Sequence, residues 1–82
     1  MMRVRVLGGG CKKCEALLKA AKEALANTGL KGEVEYITDF SEIASLGIMT
    51  TPALMLDDEI VSTGRVLKTS DIESLMLVHK GL

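Results

Sequence analysis

The hydrophobic period of this chain changes once between residues 2 and 28, and its two cysteines stand at the change. Met2, Val4 and Val6 alternate with Arg3 and Arg5, which is the period of a strand. From Cys11 to Thr28 the apolar positions Cys14, Leu17, Leu18, Ala21 and Leu25 share one face of a helix, with Lys12, Lys19, Lys22 and Glu23 elsewhere. Gly8-Gly9-Gly10 lies between the two patterns and permits a close approach of backbones. Asn27-Thr28-Gly29 is a helix stop, with Gly29 as the left-handed residue. A strand that runs through so short a turn into a helix sets Cys11 and Cys14 at the helix N-terminus. Free backbone N–H groups and the positive end of the helix dipole favour a thiolate there.

The remaining elements follow from similar signals. Glu33 to Thr38 alternates again, with Val34 and Tyr36 on one side and Glu33 and Glu35 on the other. Two parallel strands joined by a helix make a βαβ unit, which would set Arg3 and Arg5 near Glu33 and Glu35. Asp39 is expected to cap a short helix with Glu42 as its reciprocal partner, Ile43 and Leu46 as its apolar side and Gly47 at its end. Pro52 opens the run Ala53-Leu54-Met55-Leu56, apolar on both faces and so a central strand. Asp57-Asp58 turns the chain into Glu59-Ile60-Val61-Ser62, completing a hairpin. Ser70-Asp71-Ile72-Glu73 reads as a capping box opening the last helix, which buries Ile72, Leu75 and Met76. The order is β-α-β-α-β-β-α.

With 82 residues the chain is expected to form one domain over residues 1–82. Its 48% apolar and 26% charged residues describe a globular chain, and with only Tyr36 and Phe40 as aromatics the core must be aliphatic. A net charge of −1 gives no reason to expect nucleic acid or a membrane surface as partner. No apolar run reaches the roughly 20 residues that span a bilayer. The expected compartment is a reducing cytosol, where a close cysteine pair is catalytic or metal-binding more often than structural.

The element order, with Cys-Lys-Lys-Cys at the first helix start and Thr50-Thr51-Pro52 before the third strand, resembles the thioredoxin/glutaredoxin fold. The chain is similar to the small thioredoxin-like redox-active disulfide proteins of archaea and bacteria, through Gly47-Ile48-Met49-Thr50-Thr51-Pro52-Ala53-Leu54 and Thr63-Gly64-Arg65. The resemblance implies an α/β fold with a four-stranded mixed sheet flanked by three helices. It implies a cis proline at Pro52 beside the cysteine pair, and a substrate ledge formed by Thr51 and Pro52. The departures are specific: Gly10 stands where thioredoxins carry tryptophan, and residues 1 to 10 hold none of the acid that thioredoxins bury on the first strand. The Gly-Gly and acidic elements with which glutaredoxins hold glutathione are matched only partly by Thr63-Gly64-Arg65.

The expected activity is protein thiol–disulfide exchange, with no cofactor and no metal. An ordinary cysteine, of pKa about 8.5, is only a few per cent thiolate at neutral pH. The helix N-terminus lowers that value, and Lys12 and Lys13 add positive charge nearby. Cys11, at the exposed tip, is the expected nucleophile. Cys14, one turn on and facing inward, is the expected resolving thiol. Gly10, Lys12, Lys13, Thr51 and Pro52 are the expected substrate contacts. The expected partners are a disulfide-containing protein and an upstream reductase. His79, near the end of the last helix, suits the helix dipole and is not expected to be catalytic. Met55 is expected in the core and Met49 on an adaptable apolar contact surface. The alternative is a soft-metal module holding Cu(I) or Zn on the same two thiolates. Such ferredoxin-like carriers run β-α-β-β-α-β and end in a strand, whereas the last pattern here is helical.

Overall fold

A computed structural model describes residues 1–79 of the chain; residues 80–82 of the expected domain lie outside it. The elements are β1 (Met2–Leu7), α1 (Lys12–Thr28), β2 (Gly32–Ile37), α2 (Phe40–Ser45), β3 (Ala53–Leu56), β4 (Glu59–Thr63) and α3 (Thr69–His79). The strands form one mixed sheet in the order β2-β1-β3-β4. β1 and β2 are parallel, with Val4 opposite Val34 and Val6 opposite Tyr36. β1–β3 and β3–β4 are antiparallel. This is the α/β, thioredoxin-like arrangement of a four-stranded sheet with three helices.

Strand alternation divides the sheet into two unequal faces. Met2, Val4 and Val6 of β1 and Leu54 and Leu56 of β3 pack with Leu17, Ala21 and Ala24 of α1 and Ile72 and Met76 of α3. Leu7, Ala53 and Met55 point the other way, onto Ile43 of α2 and Ile48. All four residues of β3 are buried, as a central strand requires, and Met55 is among them. Leu18, Leu25 and Leu75 are only partly buried and pack against the rim of the larger core. Each fully buried aliphatic side chain contributes about 1.5–3 kcal/mol relative to exposure, so the larger face carries most of the driving force.

Two local expectations need correction. α3 starts at Thr69, and the Lys68 carbonyl accepts from the Asp71 and Ile72 N–H groups. Ser70 therefore lies within the first turn instead of ahead of it, and the capping box it was expected to open does not take shape. Glu73 is drawn elsewhere: Asn27 of α1 donates to its Oε2 at 2.9 Å. At α2, Asp39 does cap the helix, accepting from the Ser41 N–H at 2.9 Å. That is the forward half of the expected box, and Glu42 is exposed. On the smaller sheet face the expected neighbours do meet: Arg3 stands opposite Glu33 and Arg5 opposite Glu35, Arg3 Nε lies 3.2 Å from Glu35 Oε1, and Arg5 also reaches Asp58 at 3.6 Å.

Candidate dithiol site

β1 delivers the chain to Gly8, and the turn Gly8-Gly9-Gly10 lifts it onto α1. Cys11 is the N-cap of α1 in extended backbone, and its Sγ accepts from the Cys14 N–H at 3.3 Å. A cap side chain is expected to satisfy one of the free N–H groups of the first turn, and here a sulfur does so. Cys14 lies one turn on, fully buried, whereas Cys11 is exposed. The two free sulfurs are 2.7 Å apart, close enough for one thiol to donate to the other.

The electrostatics of the pair are opposed. The Cys11 thiol is pulled below the ordinary cysteine value, first by the Cys14 side chain donating to it, then by the Cys14 N–H, and further by the Lys13 N–H. The Cys14 thiol is pushed up, first by burial and then by its own hydrogen bond to Cys11. The outer sulfur is thus the more readily ionised of the two, and the inner one holds its proton more firmly. The side chains of Lys12 and Lys13, expected to help, are exposed and have no part among these causes.

The turn is glycine for steric reasons. A Cβ on Gly8 would overlap Cys14 Sγ and come within 3.0 Å of Cys14 Cβ. The same Cβ would lie 3.9 Å from Pro52 Cα, which places Pro52 at the side of the dithiol. Gly10 has φ +84°, where an L side chain is strained. A Cβ on Gly9 would collide with the ring of Phe40 at 2.7 Å. Pro52 is buried, the Thr51–Pro52 peptide bond is cis, and the Pro52 carbonyl accepts from the Gly64 N–H at 2.8 Å. Thr51 is half-buried beside it, and Met49 is almost fully exposed.

Three residues of this region were not singled out as site residues by sequence reasoning. Gly8 carries the close approach to Cys14, although the whole glycine run was read as a permissive turn. Phe40 reaches over Gly9 from α2, a contact without local sequence signal. Tyr36 ends the inward-facing series of β2, opposite Val6, and its hydroxyl is buried beneath Gly10 with no hydrogen-bond partner. Its inward position was readable from strand alternation; its empty hydroxyl was not.

Among the described residues no group of three or more His, Cys, Asp and Glu side chains converges as a metal site. A soft metal would have only the two thiolates of this chain and would need its other ligands from a partner.

A family model for the thioredoxin domain matches residues 2–77. The chain belongs to the thioredoxin-domain family. It is 33% identical over 76 residues to a thioredoxin of Methanothermobacter thermautotrophicus, covering 93% of this chain and 99% of that protein. It is also 33% identical over 73 residues to a thioredoxin of Methanocaldococcus jannaschii, covering 89% of this chain and 84% of that one. Within the family's frame, the dithiol turn is the point where the first strand meets the first helix, and Pro52 flanks it from the start of β3. No helix among the described residues is long and apolar enough to cross a membrane.

Proposed function

We propose that Cys11 is the attacking thiolate and Cys14 the resolving thiol of this protein thiol–disulfide oxidoreductase. The activity itself follows from membership of the thioredoxin family together with the close cysteine pair. The observation that supports the division of labour is the asymmetry of the pair. One sulfur is exposed, capped onto a helix N-terminus and favoured as an anion; the other is buried and favoured as a thiol.

The exchange runs in two displacements. Cys11 Sγ donates an electron pair to one sulfur of the substrate disulfide, and the other substrate sulfur leaves with the bonding pair and takes up a proton. Cys14 Sγ then attacks Cys11 Sγ, and the second substrate sulfur leaves in the same way. The substrate disulfide gains two electrons and two protons, and the protein dithiol becomes a disulfide. A disulfide reductase, or a small dithiol in its place, returns the protein to its starting state. Thr51 and Pro52 form the ledge along which an extended substrate chain lies, with Gly10, Lys12 and Lys13 at its other margin. The exposed Met49 and Phe40 add a deformable apolar rim suited to protein substrates. A reducing cytosol is the setting in which such a dithiol would be kept charged.

The test is reduction of insulin disulfides by the purified protein with dithiothreitol as electron source. Cys11→Ser should bring turnover to background. Cys14→Ser should accumulate a covalent mixed disulfide, detectable by mass, that dithiothreitol releases. Full turnover by Cys11→Ser would overturn the assignment.

A further inference from the structure

Tyr36 carries a buried hydroxyl that the fold does not use. The oxygen is shut off from solvent and has no hydrogen-bond partner among the described residues. A phenylalanine would fill the same place on the larger core without that cost, because a buried hydroxyl left unpaired is destabilising. The oxygen lies 4.0 Å from the position a Cβ on Gly10 would occupy, directly under the dithiol turn. Cys14 Sγ occupies the neighbouring space over Gly8. The titratable groups facing the phenol are Cys14, Cys11 and Glu15, all from the first turn of α1 or its cap. Burial, and then the charge of Cys14, hold the phenol above its ordinary value despite the nearby Gly10 N–H, so it stays protonated and its O–H is free to donate.

The resolving step has a need that matches this donor. In the free dithiol, the Cys14 S–H donates to Cys11. Once Cys11 is bound to substrate its sulfur is neutral, and Cys14 must give up its proton at a buried position that disfavours the anion. Residues 1–10 contain no carboxylate to assist, and Glu15 is exposed.

We propose that the Tyr36 hydroxyl donates a hydrogen bond to Cys14 Sγ as that sulfur becomes a thiolate within the mixed disulfide, and so acts as a third catalytic residue. The proposal rests on the assignment of Cys14 as the resolving thiol. The step balances without any further reactant. Cys14 Sγ gives its electron pair to Cys11 Sγ, the Cys11–substrate S–S bond breaks with its pair on the substrate sulfur, and that sulfur takes the proton Cys14 lost. Tyr36 is neutral before and after.

The test uses dithiobis-nitrobenzoate, which releases one coloured thiolate when Cys11 attacks and a second when Cys14 closes the ring. In Tyr36→Phe the first phase should stay within about twofold of the parent. The second phase should slow about tenfold near neutral pH, the low end for one hydrogen bond to a charged group, with its pH midpoint raised by about one unit. Because Tyr36 is the only tyrosine, biosynthetic fluorotyrosine labels that position alone and, keeping the O–H, should keep the fast second phase. A second phase in Tyr36→Phe with the parent's rate and pH midpoint would overturn the proposal, and so would equal slowing of both phases. A second release from Cys14→Ser would remove the resolving role of Cys14 and the proposal with it, a result distinct from any given by the Tyr36 variants.

Discussion

The two ends of β1 solve opposite problems. At its start, polar groups are tied together. The Asp57 N–H donates to the Arg3 carbonyl at 2.7 Å, the Arg3 N–H donates to Asp57 Oδ1 at 2.9 Å, and His79 Nε2 meets Asp57 Oδ2 at 2.8 Å. Glu59 stands on the other ring nitrogen at 3.4 Å. At its finish, the packing is tight but the hydrogen bonding is sparse. Cys14 presses on Gly8, Phe40 on Gly9, and the Tyr36 hydroxyl is left open. The contrast teaches that this fold holds its register at one end, where nothing needs to react, and at the other ties the sulfurs only to each other and to the first turn of α1.

Substitution at Gly8 should break that contrast most severely. In Gly8→Ala the new methyl and Cys14 Sγ claim the same space, so Cys14 must rotate away from Cys11 or β1 must shift. Overpacking of this kind costs about 1–3 kcal/mol. Urea unfolding of the reduced protein should show that loss. The ring-closing phase with an aryl disulfide should slow more than the first attack, because the displaced atom is the resolving sulfur. Wild-type stability and wild-type ring closure together would show that the turn is not crowded in the way described.

At the opposite end the expected effect is on stability alone, and smaller. The Asp57 carboxyl is held below the usual carboxylate range, first by the Arg3 N–H and then by the His79 side chain. A depressed acid stabilises the fold above its unfolded value, about 3.9, and that contribution disappears as pH falls through the lower folded value. Asp57→Asn tolerates the left-handed backbone at this position (φ 55°) while removing the charge. Because Asp57 is about half exposed, the loss near neutral pH should be about 1 kcal/mol or less. The acid limb of a stability–pH curve should flatten, and disulfide exchange at neutral pH should be unchanged. A slowed exchange would mean that the two ends are coupled.

How much of this was readable in the chain differs between its elements for physical reasons. Strand alternation in β1 and β2, the helical face of α1 and the all-apolar β3 gave the element order, because periodicity reports burial directly. Cys11, Cys14 and Pro52 were legible because few arrangements put those residue types at those places. The α3 start was misplaced by Ser70 and Glu73, whose spacing satisfies a capping box while tertiary contacts put Glu73 on Asn27. The βαβ reading set Arg5 against β2, where Glu35 does stand opposite it, but it could not show the further approach of Asp58 from the β3–β4 turn. Gly8 against Cys14 and Phe40 over Gly9 are contacts between elements, and no local pattern encodes which glycine of a run will be the crowded one.

The smallest expected effect concerns Lys12 and Lys13. Sequence alone gave them a share in stabilising the Cys11 thiolate. In the structure, the groups that lower Cys11 are the Cys14 side chain, the Cys14 N–H and backbone N–H groups of the turn. The ammonium groups lie in water, where salt screens charges beyond about 8 Å at physiological ionic strength. Titration of the thiolate by its ultraviolet absorbance separates the two sources. Lys12→Gln with Lys13→Gln should move the Cys11 midpoint up by well under one pH unit, and added salt should shrink the difference further. Cys14→Ala removes the first cause and should raise the midpoint more, with little salt dependence, since a short-range donor is lost instead of a screened charge. Cys14→Ser keeps a hydroxyl donor at the same position and should fall between the two. The reverse order, with the lysine pair dominant, would place the origin of the reactive sulfur in the field of the helix surface instead of in the hydrogen bonds of its first turn.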